Sequence, residues 1–204
     1  MRKQRTSKTC ISVIKTQRGK IIMAGDRRVS TTYGTGYTSP VPKIALKDNG
    51  MLIGASGNGG GCHILVSGFT PPEFSSGEII NEYMLFNFLP KLRSFLIKQF
   101  NWTNKEKDLV IPFGMDVEAL IILEKEAYIL DIISPEVEED NGSISIDRVP
   151  IPFAIGCGSI SALPILHSEE SLLGYNSCAT LELAMRTAAE ISDGCDNYID
   201  YLKI

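Results

Sequence analysis

Ile21-Ile22-Met23-Ala24 is apolar at every position. A strand with one wet face alternates polar and apolar residues, so a strand apolar on both faces must be covered on both sides. It follows a second strand-like segment, residues 10–14, across a tight turn at Gln17–Gly19. The stretch Thr9–Ser30 therefore predicts a hairpin buried above and below, and the rest of the chain must supply both coverings.

The following segments fit that demand. Residues 31–42 (TTYGTGYTSPVP) read as a loop, punctuated by Gly34, Gly36, Pro40 and Pro42. Lys43–Leu46 and Met51–Gly54 read as a hairpin around Asp48-Asn49-Gly50, a strong turn signal. The glycine run Gly57–Gly61 leads into an apolar helical segment reaching Val66. It lacks the GK[ST] ending of a phosphate-cradling loop and reads as a strand-to-helix turn. Ser76–Phe100 carries helix-spaced apolar residues, with Pro90 kinking or dividing it. Residues 101–114 are polar and loop-like.

Strand signals follow at 117–123, 127–133, 143–149 and 152–155, the first pair turned by Glu124-Lys125-Glu126. Glu136–Asp140 is an acidic loop of the kind that forms a solvated tip. Gly156-Cys157-Gly158-Ser159 opens a helix to about His167. A second helix is predicted from an N-cap at Thr180, with Leu181, Ala184, Met185, Ala188 and Ile191 on its apolar face and Gly194 closing it. Asn197–Ile204 reads as a last strand. Strands apolar on both faces, with helices in two separate pairs, predict an α+β fold: a four-layer α-β-β-α sandwich. With no repeat or linker, residues 9–204 are expected to form one domain.

Composition excludes several functions. A formal charge of −4 argues against a nucleic-acid partner. No apolar run approaches a membrane span, and MRKQRTSK has no apolar segment behind it as a signal peptide would. Five cysteines without a CxxC pair suggest reduced thiols and a cytoplasmic location. Only His63 and His167 exist, so a histidine-rich metal site is nearly excluded, and no GxSxG elbow is present. No metal or cofactor is expected, and a hydrolase built on this chain would take its general base from something other than histidine.

Four places together resemble a known family. They are Ala24-Gly25-Asp26-Arg27-Arg28, the Lys43-Ile44 strand, Ile53-Gly54-Ala55-Ser56-Gly57, and Ile155-Gly156-Cys157-Gly158. Their order and spacing resemble the proteasome β-type subunits and the HslV peptidase subunit, which are N-terminal nucleophile hydrolases. The resemblance implies a threonine-type endopeptidase whose nucleophile is the first residue of the processed chain, with residues 1–8 as a short pro-segment, and whose freed α-amine is the general base. An α-amine titrates near pH 8 and is partly neutral at cellular pH. By this resemblance Asp26 is the orienting aspartate, Lys43 the lysine beside the nucleophile, and Gly57 the oxyanion-hole glycine. Cys157 stands where relatives carry a serine, and Asp193 lies near a helix-end aspartate. The implied partners are copies of the chain in a ring-like homo-oligomer, a polypeptide substrate and an ATP-dependent unfoldase.

The nucleophile stays open at this level. Thr9 fits by residue type but lies one residue farther from Asp26 than the family's spacing, which calls for a bulge. Cys10 fits the spacing. A third register puts Lys8 at the catalytic position and leaves no nucleophile. A one-residue slip turns a strand side chain to the opposite face, so these registers are different chemistries. The alternatives to a peptidase are a non-catalytic assembly subunit and an amidase of small substrates.

Overall fold

The structure is a computed structural model that describes residues 9–30, 36–100, 116–133, 143–173 and 176–204. The expected pro-segment, Lys8, the polar stretch 101–114 and the acidic loop 136–140 lie outside the described residues.

The opening hairpin forms as its sequence predicts. Strands β1 (Ile11–Lys15) and β2 (Ile21–Asp26) pair antiparallel without interruption, from Ile11 opposite Gly25 to Lys15 opposite Ile21. Gly19, at φ 73°, allows the turn, and its N–H donates to the Thr16 carbonyl at 2.8 Å. The bulge that a one-residue insertion calls for is not in this ladder, and residues 16–20 connect its two strands.

β3 (Arg28–Ser30) and β4 (Gly36–Thr38) form a small ribbon of their own, where the sequence suggested only loop at 36–38. β5 (Ile44–Leu46) and β6 (Leu52–Gly57) make the second predicted hairpin, with Gly50 at φ 82° in its turn. α1 (Gly59–His63) is capped by Asn58, whose side chain accepts from the Gly61 N–H, and runs on in wider π-type turns through Ile64–Gly68.

α2 (Ile80–Glu82), wide turns over Tyr83–Phe88, and α3 (Leu89–Phe100) follow end to end. Pro90 cannot donate a backbone hydrogen bond, and the widened turns immediately before it carry the chain past without a break. β7 (Val117–Leu123), β8 (Glu126–Ile133), β9 (Ser143–Val149) and β10 (Phe153–Ile155) then form close to their predicted limits.

α4 (Ser159–Leu173) outruns the expected end at His167. α5 (Cys178–Ile191) is capped by Ser177, not Thr180: the Ser177 hydroxyl accepts the Thr180 N–H at 3.0 Å. Thr180 is instead buried in the first turn. α5 stops at Ser192, in extended conformation, before Gly194 is reached. β11 (Ile199–Lys203) closes the chain. Among the described residues no helix is long and apolar enough to cross a membrane.

The main strands make two sheets, ordered β10-β1-β2-β11 and β5-β6-β7-β8-β9. Ile11, Val13, Met23 and Ile155 from the first meet Ile44, Leu52, Leu120 and Ile122 from the second. The alternate residues Cys10, Ile14 and Ala24 face Leu166, Leu181, Ala184 and Met185 of α4 and α5. On the second sheet, Ile53, Ala55, Ala119 and Ile121 pack against Leu65, Tyr83, Phe88 and Leu92 of the other helices. The hairpin is thus covered on both sides, which is why its sequence shows no alternation. Each buried aliphatic side chain contributes roughly 1.5–3 kcal/mol relative to exposure.

Candidate active site

The site forms where β1 begins, β2 ends and the chain enters β5. Thr9 precedes the first paired residue of β1 and shares the parity of Ile11 and Val13, which puts it on the face turned toward the second sheet. Its hydroxyl donates to Asp26 Oδ1 at 2.9 Å. Lys43 Nζ hydrogen-bonds the same hydroxyl and lies 3.1 Å from the same carboxylate oxygen. The three side chains are one connected unit.

Asp26 is held from every side. Oδ1 also accepts the Cys10 N–H at 3.0 Å, and Oδ2 accepts the N–H groups of Arg28 at 3.1 Å and Asp196 at 3.3 Å. It is 1% exposed. Burial pushes its carboxyl above the usual carboxylate range, while Lys43, the Cys10 N–H and the Thr9 hydroxyl pull it back. A buried carboxylate with this many donors is a fixed anchor for the ammonium group and not a mobile base.

Thr9 and Lys43 open onto a cavity of about 800 Å³ lined also by Ser30, Tyr37, Gly57 and His63. Gly57 ends β6 at φ 123°, and a Cβ there would sit 2.3 Å from the Asp116 carbonyl oxygen. Only glycine fits, so this backbone lines the cavity without a side chain over it. The sequence-predicted residues Thr9, Asp26, Lys43 and Gly57 are therefore brought to one place.

Cys10 is not brought there. It is fully buried, belongs to the core under α4 and α5, and its thiol is pushed up to about 12, mainly by burial. Asp193 is exposed beyond α5; the loop reaches the site through the Asp196 N–H instead.

The turn that holds the singled-out Gly156-Cys157-Gly158 supports Thr9. The Thr9 carbonyl accepts the Gly158 N–H at 3.1 Å and faces Cys157 Sγ at 3.6 Å. Gly156, at φ 83°, would place a Cβ 2.3 Å from that carbonyl oxygen, so the 156–158 turn wraps closely around Thr9. Glu118, on β7, accepts the Gly156 N–H at 3.1 Å and ties this turn to the second sheet. The turn's paired glycines were legible in the sequence; nothing marked Glu118, one polar residue in an apolar strand.

Chemically, a hydroxyl hydrogen-bonded to an ammonium is easier to deprotonate, because the positive charge favours the alkoxide. Among the described residues no group of acids, histidines and cysteines could hold a metal ion.

The sequence matches no family model and no curated protein. Solved structures do match in fold. BPH of Thiobacillus denitrificans, solved in complex with epoxomicin, superposes with a TM-score of 0.66 at 14% identity, over 96% of this chain and 97% of that one. Eukaryotic HslV from Trypanosoma brucei gives 0.55 at 18% identity over 95% and 98%. Anbu (ancestral beta-subunit) from Yersinia bercovieri gives 0.57 at 13% identity over 96% and 80%. With both chains covered nearly end to end in the first two, the molecule resembles, in fold, the N-terminal nucleophile hydrolases of the HslV and proteasome-like type.

Proposed function

We propose that this chain is a proteasome β/HslV-like threonine-type endopeptidase with Thr9 as its N-terminal nucleophile. The observation that carries the reading is the single contact set in which Lys43 Nζ meets both the Thr9 hydroxyl and Asp26 at the wall of an open cavity. The paired sheets with helices packed outside each of them are read as the four-layer α-β-β-α sandwich of these hydrolases.

In the intact chain the Thr9 nitrogen is an amide and cannot take a proton. The proposal therefore includes self-processing. The Thr9 hydroxyl adds to the Lys8 carbonyl, the acyl group passes from nitrogen to oxygen, and water hydrolyses the ester. Residues 1–8 leave as a carboxylate, and the α-amine is freed. That amine then accepts the hydroxyl proton as Thr9 attacks a peptide carbonyl, Lys43 stabilises the developing alkoxide, and the Gly57 N–H receives the oxyanion. The leaving amine takes the proton from the α-ammonium, and water repeats the sequence on the acyl-enzyme.

By the same analogy, copies assemble into a ring in the cytoplasm that hides the sites, fed by an ATP-dependent unfoldase. The test is intact mass of the purified protein, followed by exposure to an epoxyketone probe. Loss of residues 1–8 and a covalent adduct on Thr9 are the expected results. A chain that keeps residues 1–8 and ignores the probe overturns the reading and leaves the non-catalytic assembly subunit.

A further inference from the structure

On the other side of β1 from the cavity, thiols lie together that the proposed reaction does not use. Cys157, in the turn before α4, and Cys195, in the turn after α5, have their sulfurs 3.9 Å apart. Both are free thiols in the described structure. Their exposure differs: Cys157 is half-buried, while Cys195 is 5% exposed. One can meet a small oxidant, and the other waits behind it.

We propose that Cys157 and Cys195 are a modification site, closing to a reversible disulfide when the protein meets a peroxide. Cys157 is the attacking thiol. The Ser192 hydroxyl reaches its sulfur at 3.4 Å, and hydrogen bonding from the Cys195 S–H, then from Ser192, lowers its thiol to about 6 against the opposing effect of burial. Cys195 is the resolving thiol. Cys10 is not the partner: its sulfur turns to Ser12 Oγ at 3.6 Å. Gly158 packs between, so that a Cβ there would lie 2.6 Å from Cys10 Cβ and 2.8 Å from Cys195 Sγ.

The chemistry balances in two steps. The Cys157 thiolate attacks one oxygen of hydrogen peroxide, the O–O bond breaks, and sulfenic acid and hydroxide form, the latter leaving as water. The Cys195 sulfur then attacks the sulfenic sulfur, the S–O bond breaks, and a second water leaves with the thiol proton. Two thiols lose two electrons, and one peroxide becomes two waters. A dithiol reverses the oxidation.

Closure requires the sulfurs to approach to about 2.05 Å. Both sit in turns outside regular helix, where that movement is absorbed. Cys157 also belongs to the turn wrapped around Thr9, so the same movement removes its contact with the Thr9 carbonyl at 3.6 Å. The effect on activity rests on Thr9 being the nucleophile; the disulfide itself does not.

The experiment uses the full chain, reduced and then treated with graded hydrogen peroxide. Remaining thiols are blocked under denaturing conditions, and the product is read by intact mass and peptide mapping. Two of the five cysteines become protected. They map as a Cys157–Cys195 peptide, and dithiothreitol restores them. Cys195→Ser leaves Cys157 as a dimedone-reactive sulfenic acid, and Cys157→Ser abolishes the protection. The proposal is overturned if both thiols stay open to alkylation after exposed Cys178 has oxidised, or if Cys157 links to another cysteine. In a second arm the oxidised protein reacts with an epoxyketone about tenfold more slowly, as misplacement of a reacting group predicts. An unchanged rate in the cross-linked protein overturns the coupling to Thr9. No probe reaction even in the reduced protein overturns the peptidase reading alone.

Discussion

Thr9 and Cys10 are neighbours in sequence and both are nucleophile types, yet they live in different media. Thr9 faces an open cavity and shares its hydroxyl between an ammonium and a carboxylate. Cys10 lies in an apolar core whose burial holds the thiol protonated far above neutral pH. Residue chemistry did not choose between them; the pleat did, since adjacent strand residues point to opposite faces.

The largest expected effect breaks or confirms that comparison directly. Thr9→Ala should lower peptide hydrolysis by about a thousandfold or more and leave residues 1–8 attached. Cys10→Ala should process normally, keep hydrolysis within a fewfold of the parent, and lose about 1–2 kcal/mol of stability through the missing sulfur. Fluorogenic peptide cleavage, intact mass and urea unfolding on the two variants read all of this. A dead Cys10→Ala with an active Thr9→Ala would reverse the assignment.

Next in size are the groups that make the Thr9 side special. Lys43→Ala should cost on the order of 10²–10⁴ in turnover while the protein stays folded, because it removes the charge next to the hydroxyl. Asp26→Ala should cost activity and also stability, about 3–5 kcal/mol, since it strips the partner from a half-buried ammonium and several backbone donors. A folded, active Lys43→Ala protein would mean the ammonium is only structural.

Gly57→Ala tests the opposite wall. Its φ of 123° and the 2.3 Å approach to the Asp116 carbonyl force the backbone to move, and the cavity wall with it. A loss of about 10²–10³ in turnover, with substrate affinity less affected, is the expected result for a displaced oxyanion donor. A change confined to affinity would place Gly57 in binding and not in the chemistry.

The sequence made parts of this site legible for physical reasons. A hairpin apolar on both faces demanded two coverings, and Ile11, Val13 and Met23 meet one while Cys10, Ile14 and Ala24 meet the other. Asp48-Asn49-Gly50 and Gly19 are turns because a positive φ needs glycine, which composition displays openly. What stayed hidden depends on register and on backbone donors. Which of Thr9 and Cys10 faces the cavity follows from strand register, which the apolar pattern of this hairpin does not encode. The Asp196 N–H on Asp26 is a backbone group any residue could supply. Ser177 outcompeted Thr180 as cap because the helix began earlier than its apolar face.

The smallest expected effect concerns Glu118, which links the two sides by holding the turn around Thr9. Burial, with repulsion from Asp131, raises its carboxyl above the usual range, and the Gly156 N–H pulls it partly back. A raised native value means the folded protein takes up this proton before the unfolded chain does. Ionised Glu118 therefore lowers stability near neutral pH, and stability recovers as pH falls through the raised native value toward the ordinary one. Glu118→Gln keeps an oxygen for the Gly156 N–H without the charge. The variant should match or exceed the parent in stability at neutral pH, and the gap should close as the solution is acidified into the carboxylate range. Urea unfolding of both proteins from neutral to mildly acidic pH measures that difference, with Asp26 common to both and relief of the Asp131 repulsion acting in the same direction. A variant less stable than the parent at neutral pH would mean the ionised carboxylate's bond to Gly156 outweighs its burial. The turn around Thr9 would then be held by charge, and its hold would weaken on acidification.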